Sequence, residues 1–165
     1  AVERRRREQA PRAVADLIGV GVTLSAAWPV RRALTAEHGT ALPAFVDHHV
    51  HLHLIDPSTL AARGIAAVVD LGGDPVSLAR RAQGLPRVSY AGAFLTAPGG
   101  YPQGRAWAPE ATVRLVTDAS RHPGVTGGAR TAVDAQADAG ASVIKVALHA
   151  DAGPVVSDDV RAELG

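Results

Sequence analysis

Three histidines alternate along one stretch of the chain, at His49, His51 and His53. They follow the hydrophobic pair Phe45-Val46, which is typical of a β-strand. Because a strand sends every second side chain to the same face, a strand here would place the imidazoles of His49 and His51 side by side. Neutral imidazole is a good ligand for zinc, iron and nickel. The spacing therefore predicts a metal site, and the alternative is a half-exposed strand that carries histidines without a metal.

One basic residue differs from all the others. The chain has 17 Lys and Arg residues, and Lys145 is its single lysine. It lies within the apolar run 141–148, where a charged side chain is rarely buried without compensation. Beside a metal, both burial and like charge disfavour an ammonium group. A neutral amine, unlike a guanidinium, can add carbon dioxide and become an anionic carbamate, which makes Lys145 a candidate ligand. The alternatives are a lysine that reaches solvent and a plain base near the site.

The elements that must position these residues alternate along the chain from residue 42 onward. Apolar and alternating runs predict four strands, at 45–52, 65–71, 88–95 and 141–148. Capping residues, prolines and closing glycines predict helices at 56–63, 76–83 and 129–139, with another starting at 157–163. Asp74 followed by Pro75 marks the predicted start of the second of these helices. The segment 113–116 fits either a short strand or a helical turn. This order indicates an α/β fold with parallel strands.

Two loops follow predicted strands at the ends where α/β enzymes build their sites. The loop at 96–109 carries Tyr101, Arg105 and Trp107 as candidates for substrate contact. Alternatively it is a surface loop in which Trp107 only covers the core. His149 follows the fourth predicted strand and is a further candidate for substrate binding, with local hydrogen bonding as the alternative.

The stretch Leu42-Pro-Ala-Phe-Val-Asp-His-His-Val-His resembles the opening motif of the amidohydrolase superfamily, Pro-Gly-Phe-[Ile/Val]-Asp-x-His-x-His, with Ala44 in place of Gly. PHP-type phosphoesterases and TatD-like nucleases also begin a barrel with His-x-His. The resemblance implies that residues 42–165 form the first half of a metal-dependent (β/α)8 TIM barrel, about four β/α units. A full barrel needs about 250 residues, so the chain is expected to be the N-terminal piece of a larger protein.

The same resemblance implies the ligands of the metal. His49 and His51 would bind a divalent ion, zinc by expectation, and the site would hold one or two ions. The segment Ser142-Val-Ile-Lys-Val-Ala resembles the family's fourth strand, where a carboxylated lysine, here Lys145, bridges two ions. The family's general-base Asp is expected beyond residue 165, so no catalytic residue is assigned within this chain.

The activity that this resemblance implies is hydrolysis of an amide or cyclic amide C–N bond in a small-molecule substrate, as in imidazolonepropionase-like or dihydroorotase-like members. One alternative is a phosphoester or phosphotriester hydrolase, because phosphotriesterase-like proteins share the His-x-His and the bridging lysine. Another is a catalytically inactive fragment that binds metal. Homo-oligomerisation of the full-length protein is a further expectation.

The amino-acid composition limits the kinds of binding partner and ligand that are expected. A net charge of +1 does not favour a nucleic-acid surface, and the absence of cysteine excludes thiolate ligands. Residues 1–41 contain an arginine-rich run that favours a frayed or disordered segment. The amidohydrolase resemblance implies, as the alternative, a remnant of the β-sandwich that precedes the barrel in that family. The apolar stretch 17–24 is too short for a membrane span, although a secretory signal is an alternative. We therefore expect a cytoplasmic protein without a membrane partner.

Overall fold

Two small parallel sheets form the centre of the structure. The computed structural model describes residues 43–82 and 86–164. The first sheet has the order β1-β2-β3, with β1 at Phe45–Val50, β2 at Ile65–Asp70 and β3 at Arg87–Tyr90. The second sheet pairs β4 (Phe94–Thr96) with β5 (Val113–Leu115). The predicted N-terminal segment 1–41 lies outside the described residues.

Within the described residues, three α-helices pack around these strands: α1 (Pro75–Arg81), α2 (Ala129–Asp138) and α3 (Asp158–Leu164). Helix α1 begins at its predicted cap, where the Asp74 carboxylate accepts hydrogen bonds from two backbone N–H groups. The predicted helix at 56–63 is wrong, because two 3-10 turns, Pro57–Thr59 and Ala61–Arg63, occupy that segment. None of the helices in the described part of the chain is long and apolar enough to cross a membrane.

The predicted half of a (β/α)8 barrel is wrong. The strands form separate sheets of three and two strands and, with the three helices, make a small α/β domain. The third predicted strand breaks at Gly92, whose φ of +73° lies in the left-handed region. A Cβ at Gly92 would collide with the amide oxygen of Gln136. That buried oxygen accepts the N–H of Ala93 at 3.1 Å, so a helix side chain replaces a strand partner there.

The fourth predicted strand is reduced to one bridge, between Leu95 and Val146. The N–H of Leu95 donates to the Lys145 carbonyl, and the N–H of Ala147 donates to the Leu95 carbonyl, both at 2.9 Å. The segment around Lys145 therefore runs parallel to β4 at this point without forming a regular strand. This pairing still places Lys145 beside the end of the central strands.

The apolar residues divide into two cores. One core surrounds Leu95 and Val116 and packs against α2 and α3. The other contains Val50, Leu52, Val68, Leu78 and Tyr90. Phe94, only 2% exposed, lies where the chain passes from β3 to β4. The region around Phe94 is thus supported from both sides.

Asp70 ties the ends of β1 and β2 together. Its carboxylate is fully buried and accepts the N–H of Leu52 at 2.7 Å and the N–H of Gly72 at 2.9 Å. A buried carboxylate is tolerated only when such donors replace water. One side chain therefore fixes the two loops that leave the neighbouring strands.

Replacing Asp70 should destabilise the fold. We expect Asp70→Asn to lower the free energy of unfolding by about 1–3 kcal/mol, because the amide offers one acceptor oxygen where two buried N–H groups need acceptors. The matched control is Asp134→Asn, which removes an i,i+4 ion pair with Arg130 from a side chain that is 41% exposed. The control should cost at most about 0.5 kcal/mol in urea denaturation. Equal losses for both variants would contradict this assignment.

The Asp74 cap should make stability depend on pH. The hydroxyl of Ser77, which donates to Asp74 at 2.6 Å, and the backbone N–H groups at the start of α1 hold the pKa of this carboxyl below its ordinary value of 3.8. A lowered folded-state pKa adds stability that is present above pH 3.8 and is lost as the pH falls through the folded-state value. Asp74→Asn keeps a cap but cannot titrate, so the stability difference from wild type should shrink below about pH 4.

The measurement is urea denaturation of both proteins at pH values from neutral to acid. Asp74→Ala, which removes the cap entirely, should cost about 1 kcal/mol at neutral pH. A wild-type advantage over Asp74→Asn that stays constant across this range would show that the carboxylate hydrogen bonds do not stabilise the helix.

Candidate functional site

The end of β1 places two imidazoles next to each other. Val50 and Leu52 are buried, at 8% and 2% exposure, so the alternate residues His49 and His51 share the opposite side of the backbone. Their ring centroids lie 5.3 Å apart with the rings edge to face. His51 follows the last residue of β1 and still has extended backbone angles. The chain then enters a 3-10 turn that carries His53.

The ring of His51 is oriented by a backbone carbonyl. Its Nδ1 lies 3.0 Å from the carbonyl oxygen of Gly72. A carbonyl can only accept, so Nδ1 carries the proton and Nε2 keeps its lone pair. The N–H of Gly72 is in turn held by Asp70. Ligand histidines of metal sites are usually oriented by a carbonyl or carboxylate in this way.

The surroundings of His51 favour the neutral ring. Desolvation by burial lowers the pKa of His51 below its ordinary value of 6.5. The hydrogen bond to Gly72 and the charge of Asp70 act in the opposite direction, whereas the neighbours His49 and His53 add to the lowering. Since only a neutral imidazole binds a metal, this environment suits a ligand.

A cavity of about 380 Å³ opens next to these rings. Its polar lining consists of His49, His51, Tyr101, Lys145 and His149, and its apolar lining consists of Phe94, Val146, Ala147 and Leu148. Lys145 is half-buried there, and among the described residues it makes no ion pair. No carboxylate belongs to the described lining. All three predicted metal ligands therefore face one cavity.

Trp107 connects the loop after β4 to the histidines. Its ring lies 6.3 Å from that of His51 and 6.5 Å from that of His53, with which it is stacked at an angle of 19°. It also contacts Phe94 and Tyr101, at centroid distances of 6.2 and 5.7 Å. Nε2 of His53 lies 3.0 Å from the Trp107 carbonyl oxygen, to which it can donate. His53 thus belongs to the loop contact rather than to the lining of the cavity.

The predicted substrate-binding residues divide into two groups. Tyr101 and His149 line the cavity, and their rings are 5.5 Å apart. Arg105 is exposed and does not line it. The backbone of Arg105 is used in the loop's own turns, where its N–H donates to Pro102 and its carbonyl accepts from Ala108. The loop therefore presents Tyr101 to the cavity and Arg105 to solvent.

The candidate metal ligands that line the cavity are two imidazoles and one lysine. Two imidazoles that share a zinc ion at about 2.1 Å and near the tetrahedral angle have ring centroids roughly 5 Å apart. The 5.3 Å between His49 and His51 agrees with this geometry. The described residues contain no group of three His, Asp or Glu residues that could hold a metal. Lys145 lines the same cavity and is a candidate for a third ligand.

Sequence reasoning did not find two residues that shape the site. Asp70 was assigned only to the end of an apolar strand, although a carboxylate after Val68-Val69 signals a buried acid that needs donors. Gly72 was assigned to a turn. A Cβ at Gly72 would collide with the ring of Phe94, so glycine is required for its carbonyl to approach His51.

The chain shares its fold with a solved structure. No family profile matches the sequence, and no curated protein matches it significantly. It is similar to the crystal structure of an uncharacterized protein, with 25% sequence identity and a TM-score of 0.57. The similarity covers 88% of this chain and 44% of that protein, so this chain spans less than half of its length. Because that protein is itself uncharacterized, the similarity bears on the fold alone.

Proposed function

We propose that this chain provides the metal-binding residues of a hydrolase that cleaves amide or cyclic amide C–N bonds in small molecules. The supporting observation is that His49, His51 and Lys145 face one cavity, with Nε2 of His51 free to coordinate. When bound, a divalent cation polarises a scissile carbonyl and makes water nucleophilic near neutral pH. His49 and His51 would hold that cation, zinc by preference, as neutral ligands.

Lys145 supplies the negative charge that the described lining lacks. Its neutral amine attacks carbon dioxide, an N–C bond forms, and one proton is released to solvent, leaving a carbamate anion. The half-buried position of Lys145 leaves its amine open to dissolved carbon dioxide. Among the described lining residues there is no Asp or Glu that would otherwise compensate a bound cation. The resulting carboxylate oxygens are ligands that zinc accepts.

The cavity size supports a small-molecule substrate. Cavities that bind small ligands usually measure about 300–1,000 Å³, and this one measures about 380 Å³. A net charge of +1 supports neither a nucleic-acid nor a membrane partner. The proposal therefore describes a cytoplasmic enzyme acting on a small metabolite.

Loss of either imidazole should weaken metal binding. We expect His49→Ala and His51→Ala to raise the dissociation constant for zinc by at least about tenfold, because each removes a direct ligand. The control is His122→Ala, which changes an exposed histidine outside the cavity. Equilibrium dialysis with elemental analysis measures the bound zinc.

The proposal fails if the wild-type chain binds no zinc, or if all three variants bind it equally. Hydrolysis is then tested on the zinc-loaded chain and on a longer form of the protein that supplies the general-base Asp expected beyond residue 165, with N-acyl amino acids, a cyclic amide and a p-nitrophenyl phosphotriester. Cleavage of the phosphotriester alone would replace the C–N assignment with phosphoester chemistry.

The carbamate should make zinc binding depend on carbon dioxide. Adding bicarbonate to carbon dioxide-depleted protein should increase zinc affinity several-fold in the wild type, because it creates an anionic ligand at Lys145. Lys145→Ala and Lys145→Arg should not respond to bicarbonate. Acetate, which can enter the space left by the side chain, should partly restore zinc binding to Lys145→Ala but not to Lys145→Arg. A wild type that ignores bicarbonate would overturn the carbamate.

A further inference from the structure

We infer that Tyr101 is a specificity-determining residue whose ring binds a planar, uncharged group of the substrate beside the metal-binding histidines. This inference rests on the proposed function for the bond that is cleaved, but the ring-binding surface itself is defined by the loop after β4. Tyr101 is half-buried, so part of its ring remains available to a ligand. It lines the same cavity as His49 and Lys145.

The ring of Tyr101 is held in place by two aromatic neighbours. Trp107 lies 5.7 Å away at an angle of 55°, and His149 lies 5.5 Å away at 65°. Such tilted and edge contacts are the favoured arrangements of aromatic pairs. A ring that is fixed before the ligand arrives loses little conformational entropy on binding. Tyr101 is therefore a preorganised surface rather than a mobile side chain.

The rest of the cavity supports an apolar ring. Phe94 is buried beneath it, and Leu148, 45% exposed, borders it. A volume of about 380 Å³ accommodates a benzyl-sized group together with an amide. The same cavity is lined by the polar groups His49, His51 and Lys145, so it combines candidate metal ligands with aromatic surface.

The charges of the lining select against a cationic group. In the zinc-loaded site the divalent cation would offset the carbamate of Lys145, and no carboxylate belongs to the described lining. A cationic substrate group would therefore find no unpaired counter-charge there, although an aromatic face alone could attract it. The combination favours an uncharged ring, such as the side chain of an N-acylated phenylalanine.

His53 acts as a positioning residue for this surface. Its ring stacks on Trp107 and its Nε2 lies 3.0 Å from the Trp107 carbonyl oxygen. These two contacts attach the loop that carries Tyr101 to the turn that follows His51. Loss of His53 should therefore disturb ring binding while it leaves zinc binding nearly unchanged.

The experiment uses the fluorescence of Trp107 as a binding signal. The chain has two tryptophans, so Trp28→Phe leaves Trp107 as the reporter. The probes are N-acetylphenylalaninamide and N-acetylglycinamide, which are both uncharged and differ by a benzyl group. We expect the phenylalanine probe to bind about three- to tenfold more tightly, because one aromatic contact and its buried area favour it. Both titrations are run with metal-free and with zinc-loaded protein.

Four variants in that background distinguish an effect of the Tyr101 ring from an effect on the fold. Tyr101→Phe should keep the preference for the phenylalanine probe, and Tyr101→Ala should lose most of it. His53→Ala should reduce the preference with an unchanged zinc dissociation constant, and His122→Ala should change neither. Each variant is checked by thermal denaturation for a native transition. An unchanged preference in a folded Tyr101→Ala, or no preference in the wild type, would overturn the inference.

The two proposals fail separately. A ring preference in a protein that binds no zinc would remove the hydrolase and leave the aromatic surface standing. Zinc binding and C–N hydrolysis without a ring preference would remove the role of Tyr101 alone.

Discussion

The site depends on one buried carboxylate. Asp70 accepts the backbone N–H of Leu52, which follows His51, and that of Gly72, whose carbonyl orients the His51 ring. The two loops leave neighbouring parallel strands, so this side chain sets the distance between them. Because a buried carboxylate without donors is costly, the fold and the orientation of the imidazole are coupled. Hydrogen bonding to Asp70 thereby determines which nitrogen of His51 faces the cavity.

Residues of both cores fix the segments that line the cavity. Val50 and Leu52 anchor the histidine segment in one core, whereas Leu95 anchors the segment of Lys145 in the other. Phe94 lies between them, 5.4 Å from the ring of His51. Apolar packing thus brings together basic groups that would repel each other when charged. A neutral His51, which its environment favours, reduces that repulsion.

Sequence reasoning succeeded where local rules decide the structure. The alternation at His49 and His51 predicted adjacent rings, and Asp74 followed by Pro75 predicted the start of α1. It failed where residues far away in the sequence determine the local structure. The strand predicted at 88–95 breaks because Gly92 adopts a left-handed conformation against Gln136, a residue 44 positions further along a helix. No periodicity in the strand itself carries that information.

The wrong barrel prediction does not remove the juxtaposition on which the proposed chemistry depends. Side chains from β1 and from the segment beside β4 reach the same cavity when the distance between these two backbones is fixed. Contacts between neighbouring residues fix that distance. The backbone N–H of Leu95 donates to the Lys145 carbonyl, and the ring of Phe94, the preceding residue, contacts the ring of His51. One hydrogen bond and one ring contact therefore connect the segment of Lys145 to His51, whatever the number of strands in the sheet. The placement of these side chains on one cavity follows from parallel pairing and one buried aromatic ring.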